Sequence, residues 1–204
     1  MWKTTCTCTL KKRIADEANA QQKATLERQL AVAQQGWEEL KEIRPTPPNV
    51  TYSKKKVINL GNREVQLLFL GRGHTNGDAS VVFPALHVMH AGDIFARKGP
   101  PLLDGNNGGS GVAIGDTLAK AASTIKGVDT VITGHSTLMT WADLTEYARF
   151  NKDFLAWVQA EMKAGKSVEA AAAEYTLPAS YAGYTNNPDR VKLNIGVTYD
   201  ELKH

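Results

Sequence analysis

Three residues of metal-binding type each stand just past an apolar run in this sequence. His74 follows Val65 to Leu70 across Gly71-Arg72-Gly73, Asp93 follows Leu86 to Ala91 across Gly92, and His135 follows Val128 to Thr133 across Gly134. Short apolar runs interrupted by glycine, proline and asparagine read as strands entering loops, so each side chain is delivered by a strand end. Imidazole and carboxylate together suit zinc, whose bonds to such ligands are about 2.0 to 2.2 Å long. Taken singly, each residue also reads as an ordinary loop residue, since an Asp or His after glycine can cap a turn with its own side chain. His87 and His90 read as strand residues. What makes His74, Asp93 and His135 a set is their common position, because α/β scaffolds carry their sites on loops that follow strands.

Gly73-His74-Thr75-Asn76-Gly77-Asp78, then Phe83-Pro84, then His90-Ala91-Gly92-Asp93, then Gly134-His135, resembles in order and spacing the second half of a metallo-β-lactamase-fold hydrolase. The resemblance runs from about Val57 to about Trp141. It implies an α/β fold, part of an αββα sandwich, with two zinc ions at one edge between the sheets. By the same resemblance His74 binds the first ion, Asp93 bridges both and orients the attacking hydroxide, and His135 binds the second. Asp78 is expected to buttress the loop or a ligand imidazole. The implied chemistry is zinc-activated attack on an ester, lactone, lactam or thioester of a small-molecule substrate. No side chain reads as the nucleophile of a Ser or Cys triad. Arg97 to Gly111 holds two prolines and five glycines, so it reads as a loop beside the site, with Asp104, Asn106 and Asn107 as pocket candidates.

The sequence also departs from that family. Its first half carries a His-x-His-x-Asp-His cluster, whereas the five histidines here are His74, His87, His90, His135 and His204. Zinc normally takes three or four protein ligands, so this chain is expected to bind zinc weakly, with partial or absent occupancy, and to be impaired as a hydrolase. One expectation is a hydrolase whose upstream half is truncated or made separately. Another is a degenerate, non-catalytic scaffold or interaction protein of the same fold. A third is assembly as a homodimer, through a long helix or an exposed sheet face.

The remaining sequence supplies the elements that position these residues. Residues 1 to 10 read as an irregular tail bearing Cys6 and Cys8, a pair too close for an unstrained disulfide. Residues 11 to 44 read as one long amphipathic helix, because Leu26, Leu30, Ala33, Trp37 and Leu40 recur at steps of four and three. Pro45 stops it. Residues 50 to 204 form the half-domain. In it, Val50 to Tyr52, Val57 to Leu60 and Val191 to Tyr199 read as strands, Ile114 to Ile125 as a helix, and Thr140 or Asp143 as the cap of another. With 204 residues and 42% hydrophobic side chains the chain can bury a core. A net charge of +3 is too small to argue for nucleic acid. No run suits a membrane span or a signal peptide, which leaves the cytoplasm by default, or an extracytoplasmic site if an upstream part is missing.

Overall fold

Residues 2 to 203 are described by the computed structural model of the chain, without the side chains of residues 2 to 6. They divide into two units, Met1–Thr51 and Tyr52–His204.

The first unit is a pair of helices, α1 (Trp2–Asp16) and α2 (Ala20–Glu42), packed on each other. The long helix expected over residues 11 to 44 is present as α2, but it starts at Ala20, and α1 stands where an irregular tail was expected. Helix begins at Trp2 and is interrupted at Glu17-Ala18-Asn19. Asn19 is responsible, since its side-chain oxygen accepts from the amides of Gln21 and Gln22, both at 3.0 Å. A short amide side chain satisfies the free N–H groups of a helix start better than it serves a helix interior. Cys8 is a free, exposed thiol, while the side chain of Cys6 lies outside the described residues.

The second unit is built on one six-stranded sheet in sequential order, β1 (Lys55–Leu60), β2 (Arg63–Leu68), β3 (Ser80–Phe83), β4 (Val88–Gly92), β5 (Thr130–Thr133) and β6 (Met139–Thr140). Strands β1 to β4 form an antiparallel meander, β4 and β5 are parallel, and β6 returns antiparallel to β5. A parallel pair needs a crossover, here supplied by α3 (Ile114–Thr124). Two antiparallel steps separate β2 from β4, so β2, β4 and β5 all run the same way. Their C-terminal ends therefore share one rim, and the loops after them carry His74, Asp93 and His135. Val50 to Tyr52 does not pair as a strand.

Alternation along the strands buries one sheet face. Val82, Met89, Ala91 and Val131 pack against Ile114, Leu118 and Ala121 of α3 and against Leu144, Tyr147 and Phe150 of α4 (Trp141–Lys163). The opposite face presents Val81, Phe83, Val88, His90 and Ile132, each half-buried. Thr140 and Asp143 cap α4 reciprocally, Thr140 accepting from the Asp143 amide at 3.1 Å and Asp143 from the Thr140 amide at 2.8 Å. A second cluster joins Phe154 and Val158 of α4 to α5 (Val168–Glu174) and α6 (Pro188–Leu202).

Helix α6 overturns the strand expected at Val191 to Tyr199. Val191, Leu193, Ile195, Val197 and Tyr199 alternate with smaller or polar residues, which mimics a strand. In the structure Asn187 caps the segment by accepting from the Arg190 amide at 2.9 Å, and Pro188 opens the first turn. Burial then falls on Val191, Asn194, Ile195, Thr198 and Tyr199, which is helical spacing, and Leu193 is left exposed.

Candidate functional site

His74, Asp93 and His135 meet at the shared rim. Nε2 of His135 lies 3.2 Å from Oδ1 of Asp93, and Nε2 of His74 lies 3.7 Å from Oδ2. One carboxylate thus faces two imidazoles, each from its own oxygen. His74 is mostly enclosed, with 17% of its side chain exposed, whereas His135 is 61% exposed.

Local structure explains each placement. Past β2, the His74 loop is held by Asp78, which accepts from the Thr75 amide at 3.2 Å and from its hydroxyl at 2.8 Å. The other ring nitrogen of His74, Nδ1, is 2.6 Å from the Leu102 carbonyl oxygen. A carbonyl can only accept, so Nδ1 carries a proton, and Nε2 is the ring nitrogen turned toward Asp93. At the end of β4 the register slips between His90 and Gly92. Gly92 adopts φ 60° and ψ −149°, a conformation open in practice to glycine alone. That irregularity turns the chain so that Asp93 begins a short 3-10 turn at the rim. The segment after β5 is tied back to it, the His135 amide donating to the Ala96 carbonyl at 3.1 Å. Gly134 is required by closeness: a Cβ there would collide with Oδ1 of Asp93 and lie 2.9 Å from the Gly92 carbonyl oxygen.

The other expected residues fall elsewhere. His87 takes a left-handed turn conformation with Nδ1 2.9 Å from the Gly127 carbonyl oxygen, and His90 Nδ1 accepts from the Gly92 amide at 3.0 Å. Asp104 and Asn107 close on each other, the Asn107 side chain donating to Asp104 at 2.7 Å and holding its carboxyl below the usual range. Their loop frames His74 from outside, since the Asp104 amide donates to the His74 carbonyl at 2.9 Å and the Asn76 amide to the Asn107 carbonyl at 2.9 Å. Asp104, Asn106 and Asn107 do not line the cavity beside Asp93. That cavity, of about 430 Å³, is bordered by Asp93 and His135, by Pro100, Pro101 and Leu102, and by residues leading into α6, with Arg97 and Arg190 on its wall. Those arginines carry no sequence signal of their own, because Arg190 arrives from a helix 97 positions beyond Asp93 in the chain.

Among the described residues, no group of three or more His, Cys, Asp or Glu stands in metal-holding geometry. The donors that do meet there are of the kind that hold metal ions: a carboxylate whose two oxygens face two imidazoles. They fall short of a complete centre, for which three or four protein donors per ion are normal.

No protein-family model matches the chain, and no curated protein matches it either. In structure it is similar to the stereoselective inverting sec-alkylsulfatase Pisa1 from Pseudomonas sp., with TM-score 0.60 and 16% identity over 76% of this chain and 26% of that one. A double mutant of the same enzyme matches with TM-score 0.60, 15% identity, and 76% and 27% coverage. A metallo-β-lactamase from Pontibacter korlensis matches with TM-score 0.46 and 16% identity over 60% of this chain and 61% of that chain. The likeness is one of fold: the chain carries part of the metallo-β-lactamase fold. It spans about a quarter of the length of the alkylsulfatase it matches.

Proposed function

We propose that the chain supplies the Asp93-bearing part of a zinc-dependent hydrolase acting on an ester, lactone, lactam or thioester. The observation that carries this reading is the pairing of the two Asp93 oxygens with two imidazoles, at 3.2 and 3.7 Å, where three parallel strands end. His74 and Asp93 would hold one ion, and Asp93 and His135 the other. Zinc bound in such centres activates water for attack on an electrophilic carbon.

The chain's own residues fix the geometry. The Leu102 carbonyl and the Asp78-bound loop orient His74, the bulge at Gly92 aims Asp93, and Gly134 leaves room for its carboxylate. The further donors that zinc requires would come from another polypeptide segment carrying a His-x-His-x-Asp-His cluster. Calorimetric zinc titration tests the reading, with Asp93→Ala beside the parent chain. The parent is expected to bind weakly, the variant not at all, and addition of a polypeptide bearing the cluster is expected to tighten binding and to bring ester turnover. A complemented sample free of zinc by elemental analysis, with a melting temperature indifferent to zinc, would overturn it in favour of a non-catalytic scaffold.

A further inference from the structure

Two guanidinium groups beside this site are not used by the reading above. Arg97, on the segment after Asp93, and Arg190, in the first turn of α6, both line the cavity of about 430 Å³ that Asp93 and His135 border. Neighbouring basic side chains are paired. Lys98 lies 2.6 Å from Asp143 and 3.2 Å from Glu146, Arg149 lies 3.9 Å from Glu146, and Arg72 lies 2.9 Å from Glu201. Arg97 and Arg190 have no carboxylate oxygen within 4.0 Å among the described residues. Arg190 is half-buried, and a partly desolvated cation without a counter-charge is unfavourable. The buried Tyr147 also lines the cavity.

The wall that carries them is tied together. The amide and hydroxyl of Thr185, in the turn before α6, donate to the Lys98 carbonyl at 3.1 and 3.2 Å, next to Arg97. From α6 itself, Asn194 donates to the Pro101 carbonyl at 2.7 Å in the interior. Pro100, Pro101 and Leu102 supply apolar surface to the same cavity. A planar guanidinium fork matches the paired oxygens of an oxyanion.

We propose that this cavity binds a small molecule bearing a carboxylate or sulfate group, with the oxyanion on Arg97 and Arg190 and the aliphatic part along Pro100, Pro101 and Leu102. As a statement of substrate class it rests on the reading of Asp93 and His135 as the reactive end. The oxyanion contact itself involves neither of those residues.

The test is a titration of the full chain in chelator with hexanoate, hexyl sulfate and neutral hexanamide, followed by nuclear magnetic resonance. At least one anion is expected to bind about tenfold more tightly than the amide or better, the scale of a charge-assisted hydrogen bond, and added salt is expected to erode the preference. Whichever anion is preferred identifies the oxyanion. The preference is expected to vanish in Arg97→Gln/Arg190→Gln and to persist in Lys126→Gln, which lies away from the cavity. Should the double variant fail to fold, the single change at exposed Arg97 is expected to reduce the preference alone. Equal binding of anions and amide would overturn the proposal, as would a preference that survives loss of Arg97 and Arg190. Zinc binding is measured separately: a chain that prefers anions but never takes zinc, with or without the complementing segment, removes the hydrolase reading and leaves the oxyanion site standing.

Discussion

Gly134→Ala probes the candidate site without substituting any of its proposed ligands. A methyl group there would collide with Oδ1 of Asp93 and stand 2.9 and 3.1 Å from the carbonyl oxygen and carbon of Gly92. The carboxylate could swing aside. The Gly92 backbone cannot easily follow, because it is paired with Thr133 of β5 and makes the turn into Asp93. Gly134 has no left-handed φ of its own, so the cost is steric and not conformational. Overpacking of this kind costs about 1 to 3 kcal/mol. Urea denaturation is expected to show that loss, and zinc titration a weakened response, since the displaced carboxylate is the one both imidazoles face. Gly77→Ala is the matched control: it is exposed in the His74 loop, and a Cβ there would meet nothing closer than 4.0 Å. Its effect is expected within about 0.5 kcal/mol of zero. A Gly134→Ala chain as stable as that control, with zinc affinity equal to the parent's, would refute the packing of Asp93 against Gly134.

Two further changes test the supports of the unit. Asp143 lies 2.6 Å from the Lys98 ammonium, which with the Thr140 cap lowers its pKa from 3.8 to about 2. A depressed carboxyl pKa contributes stability that is complete above its unfolded value and lost as pH falls through the folded one. Asp143→Asn is therefore expected to cost about 1 to 2 kcal/mol at pH 7 and progressively less as pH falls from about 4 to about 2, with solvent screening holding it to that range. Denaturation midpoints measured across that interval check it, and a deficit independent of pH would refute the assignment. Glu201 gathers the Arg72 guanidinium at 2.9 Å, the fully buried Ser110 hydroxyl at 2.6 Å and the Val112 amide at 3.2 Å. Glu201→Ala is expected to cost about 1 to 3 kcal/mol by stranding those donors and to speed proteolysis within residues 98 to 111. Unchanged stability and cleavage would show that the loop is held without it.

Much of the rim was legible in residue order. Gly-His and Gly-Asp after apolar runs mark strand ends, and the strands β2, β4 and β5 are where the runs predict them to within about two residues. Helices α3 and α4 follow from their apolar spacing and from the Thr140-Asp143 box. The start of the long N-terminal helix and the last expected strand differ for a common reason, that local pattern was outweighed by a polar contact or by packing. A single Asn19 carboxamide divides the long N-terminal helix. The alternation from Val191 to Tyr199 gives way to a helix once Asn187 and Pro188 set its start and the face toward α4 and α5 selects every third or fourth residue.

The sequence determined which side chains could do chemistry and that each follows a strand, since residue type, glycine position and apolar periodicity are local properties. It could not determine that Asp93 turns one oxygen to each imidazole. That depends on parallel pairing of β4 with β5 across the stretch from Asp93 to Asp129, and on a register slip that no local pattern encodes. Nor could it join Arg97 to Arg190, because only the packing of α6 beside the loop after Asp93 brings two remote cations to one wall.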